Sequence, residues 1–209
     1  KKYPLLPLSH EILINALIQN KNYKEASKII ISAKNRFQNY YNFLIFEAKI
    51  EVINDNLLSA INIYNYILKQ DDTLVDVKYD LALLYNKIEK YELCDDIFLE
   101  LLNIDPDNLI FISDFSSIIA NRPLSTYEEL KYALKLVKYG LDAYVGNSIL
   151  LDNYGWINYK LGNYDLALQY VNQSLSIKKN QNVLYHLIEI LKNNENKTNK
   201  VDFNKRWKI

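Results

Sequence analysis

Apolar residues between Val75 and Ile104 fall into two helical faces. Val77, Leu81, Leu84 and Tyr85 mark the first, within Val75–Asn86, and Leu93, Ile97, Leu101 and Ile104 mark the second. A polar turn over Lys87–Lys90 separates them. The stretch Asp105-Pro106-Asp107-Asn108 ends the second, because proline cannot continue a helix and Asp or Asn beside it can cap the next one. The pattern predicts a helical hairpin, and it recurs along the chain.

Small residues keep the register of that recurrence. Ala26, Ala60 and Cys94 are spaced by 34 residues, Ala133 follows after 39, and Ala167 after another 34. The five-residue slip falls at Asn121-Arg122-Pro123-Leu124-Ser125, where proline predicts a longer loop. A second series, Ala48, Ala82, Ser116 and Gly155, marks the first helix of each pair. In a helical context Gly155 and Gly162 should each cost about 1 kcal/mol relative to alanine. Their repeat positions explain them. Gly155 continues the small-residue series of the first helices, and Gly162 lies in the turn, where φ > 0 ends the first helix without steric cost.

A 34-residue unit with small residues at its eighth and twentieth positions and proline near its end resembles the tetratricopeptide repeat. The resemblance covers roughly residues 7 to 194, and the repeat from Ser148 follows the pattern most fully. It implies an all-α protein, a right-handed superhelical solenoid of stacked two-helix repeats. The expected organisation is a single domain over 1–209. Its repeats run over 7–40, 41–74, 75–108, 109–147 (with the five-residue insertion near 121–125) and 148–181. A partial repeat and a capping helix carrying Val201, Phe203 and Trp207 fill 182–209. His10 and Tyr185 depart from the large apolar residue usual at the fourth position, and Ile14 from the small residue usual at the eighth. The order Leu151 to Trp156, then Tyr185-His186-Leu187, then a late tryptophan also resembles the C-terminal ends of certain bacterial members.

The resemblance further implies a concave groove lined by first helices, at the second, fifth, ninth, twelfth and thirteenth positions. Carried across, these are Glu11 and Asn15 in the first repeat, and Asn42, Ile45, Lys49 and Val52 in the second. The third offers Asp76, Tyr79, Leu83 and Asn86, and the fourth Ser113 and Ser117. Asp152, Trp156 and Tyr159 follow in the fifth, and His186 and Ile190 in the sixth. Aromatic residues supply contact area, and Asn meets a peptide backbone with both donor and acceptor. Glu11 and Asp76 stand where some members place basic residues to grip a terminal carboxylate, so no such clamp is expected. Packing against a neighbouring repeat is the alternative for Trp156, Tyr159 and Tyr79. Tyr40-Tyr41 and Tyr64-x-Tyr66 are expected to pack between repeats.

Charge and composition narrow the function further. Of 209 residues, 25 are basic and 25 acidic, without the basic excess that duplex nucleic acid or an anionic membrane calls for. The 49% hydrophobic content suits a folded core. No apolar run approaches the ~18 residues of a membrane helix. Asn occurs 26 times and Tyr 18 times, a bias that suits an A/T-rich genome. With two histidines, one cysteine and four glycines there is no metal-ligand spacing and no phosphate-binding loop. His10, His186 and Cys94 read as structural residues, although His186 is placed to face a groove. Adjacent acids such as Asp71-Asp72 and Asp95-Asp96 point about 100° apart on a helix and do not converge.

The expectation is therefore a non-catalytic module whose groove takes a peptide or helix of another protein, with no metal and no cofactor. The bacterial likeness implies an assembly, secretion or envelope complex, in the cytoplasm or in the periplasm and cell envelope, with a lean towards the envelope. The alternatives are a self-associating scaffold and, more weakly, an RNA-binding repeat using tyrosine stacking.

Overall fold

A computed structural model describes residues 6–38 and 40–206, with side chains to 193. Every regular element described is a helix, and the helices fall into two compact units, 1–101 and 102–209.

The first unit holds α1 (Pro7–Gln19), α2 (Tyr23–Arg36), α3 (Asn42–Ile53), α4 (Leu57–Gln70), α5 (Val75–Lys87) and most of α6 (Tyr91–Ile104). Each of α1 to α4 packs against the helix that follows it, and α1 also reaches α3. Ala48 and Ala60 let α3 and α4 approach closely, and both are wholly buried. Tyr64, Ile67, Val77 and Leu81 join them in one core cluster, while Ile14, Ile30, Phe43 and Phe46 form another. Cys94 is also wholly buried, in the packing position of an alanine.

One backbone device recurs at the end of first helices. Lys21, Asp55, Glu89 and Gly162 all have positive φ, at 57°, 62°, 60° and 84°. Each lies five residues before its repeat's small residue, at Ala26, Ala60, Cys94 and Ala167. The amide after each turns back to a carbonyl five residues earlier: Asn22 to Leu17, Asn56 to Glu51, Lys90 to Tyr85 and Asn163 to Asn158, at 2.8–2.9 Å. That bond is the signature of a left-handed helix stop. Only Gly162 meets the requirement with glycine.

The second unit holds α7 (Leu109–Asn121), α8 (Tyr127–Ala143), α9 (Ser148–Lys160), α10 (Tyr164–Ile177) and α11 (Gln181–Arg206). Helix α9 is its centre and touches all four others. Asn108 caps α7 by accepting from the amides of Ile110 and Phe111, and Asn147 caps α9 in the same way through Ile149 and Leu150. The five extra residues of the fourth repeat are divided. The α7–α8 connection has two more residues than that between α5 and α6, and α8 starts three residues earlier relative to Ala133 than α6 does relative to Cys94. A capping box holds the added turn, in which Thr126 and Glu129 satisfy each other's backbone amides.

A Cβ placed on Gly155 would stand 2.7 Å from Val171 Cγ2 and 3.1 Å from the Ala167 carbonyl oxygen, so α9 and α10 meet at a distance only glycine permits. Glu189 stands at the corresponding place 34 residues on. Helix α11 runs unbroken from Gln181 to Arg206, through the polar residues after Asn193. That segment contains neither glycine nor proline to stop it. Trp207 lies outside the described residues, as do the side chains of Val201 and Phe203.

Candidate functional site

In the first unit the groove candidates divide between packing and a cleft. Glu11 on α1 accepts hydrogen bonds from Tyr40 Oη and from Asn42 Nδ2, the latter at 3.2 Å, and so ties α1 to the start of α3. That carboxylate holds the Tyr40 hydroxyl above the ordinary phenol range. Asn15 is exposed and Ile45 is half-buried in the core cluster of α3, α4 and α5. The Tyr79 ring packs edge-on against Phe98, with centroids 6.1 Å apart, and Asn86 is half-buried.

Lys49, Val52 and Leu83 come together around a cleft of about 350 Å³. Ile18, Ile53, Tyr64, Asp80 and Leu84 complete its walls. Buried Tyr64 donates to Asp80 Oδ2 at 3.2 Å, and Lys49 Nζ stands 3.9 Å from the same oxygen. Burial pushes the Asp80 carboxyl above the usual range, and Lys49 and Tyr64 oppose that shift without cancelling it. Burial, with the Asp80 charge, likewise raises the Tyr64 hydroxyl. Tyr66 departs from the expected packing role, because it stands 53% exposed while Tyr64 turns inward.

The second unit contains a more polar cleft, of about 470 Å³. Helix α7 contributes Ser117 and Asn121, α9 contributes Ser148, Ile149, Asp152 and Asn153, and α10 contributes Ser174. Lys178 and Asn180 follow α10, and Asn182, Val183, Tyr185 and His186 come from α11. Three sequence candidates, Ser117, Asp152 and His186, thus share one site.

Asp152 is buried, and His186 Nδ1 donates to both of its carboxylate oxygens at 3.0 Å. This pairing fixes which nitrogen carries the hydrogen and leaves Nε2 as the ring's remaining polar atom. The imidazole lies flat on Trp156, centroids 4.1 Å apart and planes 12° apart, and Tyr159 stacks near the same indole at 4.9 Å. Trp156 Nε1 donates to Asn121 Oδ1 at 3.0 Å.

The candidates in this unit are therefore not all lining residues. Trp156 is only 6% exposed, which makes the indole a packed plate rather than free contact area. Ser113 is buried with its hydroxyl turned to the Ile110 carbonyl, and Ile190 is fully buried. Tyr159 accepts from Asn193 Nδ2 at 2.6 Å, and burial followed by nearby Glu189 raises its hydroxyl above the phenol range. His10, buried at the far end of the sequence, donates to the Leu6 carbonyl at 3.2 Å and packs edge-on against Phe37 and Phe43.

Sequence reasoning missed Tyr64 and Asp80 in one cleft and Ser148, Lys178 and Asn182 in the other. Asp76 and Asp80, four apart on one helix, were the legible signal for the first. Lys178 and Asn182 follow from the short α10–α11 connection, which periodicity does not describe. Among the described residues no group of three His, Cys, Asp or Glu side chains is close enough to hold a metal ion, and no helix is long and apolar enough to cross a membrane.

The tetratricopeptide repeat family model matches residues 75–108 and 150–181. A search of curated proteins finds no match. Among solved structures, a tetratricopeptide repeat protein from Parabacteroides merdae is similar over 98% of this chain and 80% of its own, at 19% identity and a TM-score of 0.72. YrrB, described as a repeat protein of this kind with an unusual peptide-binding site, is similar over 88% of this chain and 92% of its own, at 15% identity and 0.66. The Cut9–Hcn1 hetero-tetramer of the APC/C is similar over 90% of this chain and 37% of the matched chain, at 14% identity and 0.69. These identities carry the fold alone. The chain carries tetratricopeptide repeats, matched directly at 75–108 and 150–181, and it folds as a tetratricopeptide-repeat protein.

Proposed function

We propose that this chain is a non-catalytic interaction module that docks a segment of another protein. One observation carries the reading: the second-unit cleft collects Ser117, Asp152 and His186 from α7, α9 and α11 into one polar concavity. Its floor is preorganised, since Asp152, Asn153 and Ser174 are buried and hydrogen-bonded. A peptide backbone needs alternating donors and acceptors, and Ser, Asn and imidazole side chains supply both. The fold adds support, because repeats of this family generally act as interaction modules, and YrrB carries a peptide-binding site.

Capture of binding proteins from the native cells, with wild-type chain and with Ser117→Arg plus Asn182→Arg, tests the reading. Both positions are at least partly exposed, so the arginines fill the cleft and spare the core. Loss of the captured proteins from the double variant is the expected result. Retention of the same set places docking elsewhere. Sedimentation of the wild-type chain at micromolar concentration addresses self-association, because a dimer abolished by the same two arginines makes a second copy the occupant.

A further inference from the structure

The cleft of the first unit has an unusual combination of walls. Val52, Ile53, Leu83, Leu84 and Ile18 are apolar, while Asp80 is a carboxylate with only 32% of its side chain exposed. Its protein partners are the Tyr64 hydroxyl and a lysine ammonium 3.9 Å away, beyond hydrogen-bonding distance. Asp76, exposed and one turn earlier on α5, adds a second negative charge that acts on Asp80. Lys49, the one cation among the described residues that line the cleft, is itself 51% exposed, so its attraction for Asp80 is mostly screened.

Three classes of occupant meet these walls differently. A purely aliphatic side chain would fill the apolar part but strip the remaining water from Asp80, a penalty without compensation. An acidic side chain would meet the like charge of Asp80, with Asp76 adding to the repulsion from one turn away. A basic side chain satisfies both parts, because its methylene stem covers apolar surface while its head stays with the carboxylate. We propose that this cleft receives a lysine or arginine side chain of a partner protein, its stem against Val52, Leu83 and Leu84 and its head at Asp80. The inference rests on the reading of the chain as a protein-binding module, but it concerns a different unit and adds a ligand class. The upward shift of the Asp80 carboxyl agrees with it, since the contacts already present do not offset the loss of water there.

The test is an NMR titration of the full, isotopically labelled chain with three probes: the acetylated methylamides of arginine, norleucine and glutamate. Ligands of that size bind with Kd on the order of millimolar. The arginine probe should move the backbone amides of Val52, Asp80 and Leu83 saturably, and about threefold or more tightly than norleucine, the gain of an exposed charge pair. Asp80→Asn keeps an acceptor for Tyr64 and should weaken the arginine probe by about three- to tenfold. Lys49→Gln, at an exposed position that tolerates change, should tighten it, because it removes a competing cation. Equal binding of norleucine, preference for glutamate, or weaker arginine binding in Lys49→Gln overturns the proposal. So does the absence of saturable shifts at arginine concentrations about tenfold above the expected Kd. The Ser117→Arg plus Asn182→Arg variant should bind the arginine probe unchanged, so the two readings fail separately.

Discussion

His186 reaches back one repeat, 34 residues, to donate its Nδ1 hydrogen to both carboxylate oxygens of Asp152, each at 3.0 Å. The bond joins α11 to α9 beneath the polar cleft, and the stacking of the same imidazole on Trp156 reinforces it. Neither residue is separable from the other. Asp152 is buried, and removing His186 leaves a carboxylate without its donor.

His186→Ala is therefore expected to cost about 2–4 kcal/mol, combining a hydrogen bond to a charged group with the stacked contact. The loss should be local. Amide exchange should accelerate in α11 first, around Leu187 and Ile190, while α1–α5 keep their protection. A cycle of His186→Ala, Asp152→Ala and the double variant should give a coupling of about 1–3 kcal/mol. Coupling near zero would remove the pair from the account of how α11 is held.

The left-handed turns predict stabilising substitutions. Lys21, Asp55 and Glu89 adopt positive φ at exposed positions, where a Cβ costs about 1–2 kcal/mol. Glycine removes that strain but brings more freedom to the unfolded chain. Each of Lys21→Gly, Asp55→Gly and Glu89→Gly should gain about 0.5–1 kcal/mol, read as a higher urea midpoint. Gly162→Ala should lose about 1 kcal/mol by the same reasoning. Asp55→Gly also gives up a 2.9 Å ion pair with Lys87, worth little at that exposure, and should show the smallest gain.

Gly155→Ala should destabilise for another reason. The added methyl meets Val171 Cγ2 at 2.7 Å and backbone atoms of α10 at 3.1 Å, so the helices must part. Overpacking of about 1–3 kcal/mol outweighs the ~1 kcal/mol of helix propensity that alanine brings. Val171→Ala in the same chain should recover part of the loss, whereas a strictly additive pair would mean that the backbone, not Val171, is the obstacle.

These features were unequally visible in the sequence. The helical hairpins and their small-residue register were readable because each follows from spacing alone, as with Ala48, Ala82 and Gly155. The left-handed turn was readable at Gly162 and hidden at Lys21 and Glu89, whose side chains seldom adopt positive φ, while Asp55 belongs to a residue type that visits that region more often but not by default. Position within a repeat named Asp152 and His186, but not the bond between them. It also could not separate Trp156, packed between its neighbours, from residues that line a cleft. Tyr64 and Tyr66 were separable by helical period, because Tyr64 shares the buried face of Ala60 and Ile67 while Tyr66 points about 200° away from it. The insertion was legible only in part, because proline marked its place while the capping box at Thr126 holds three of the five added residues as helix.

Asp80 and Glu129 should respond to pH with opposite signs. Burial raises the Asp80 carboxyl, so the folded chain binds that proton more readily than the unfolded chain. The stability Asp80 contributes is fully present below the ordinary carboxylate value near 4 and is lost as pH rises through the elevated folded value. The amide and hydroxyl of Thr126 lower the Glu129 carboxyl, so its contribution is present above the ordinary value and lost as pH falls through the folded one. Asp80→Asn should consequently stabilise the chain at pH 7, with the gain shrinking towards pH 4. Glu129→Gln should destabilise it at pH 7, and that loss should shrink in acid. Urea midpoints of the two variants and the wild type, measured at several values from pH 7 down to about pH 3, check both. An Asp80→Asn gain that grew in acid would mean that Lys49 and Tyr64 stabilise the charged carboxylate more than burial opposes it.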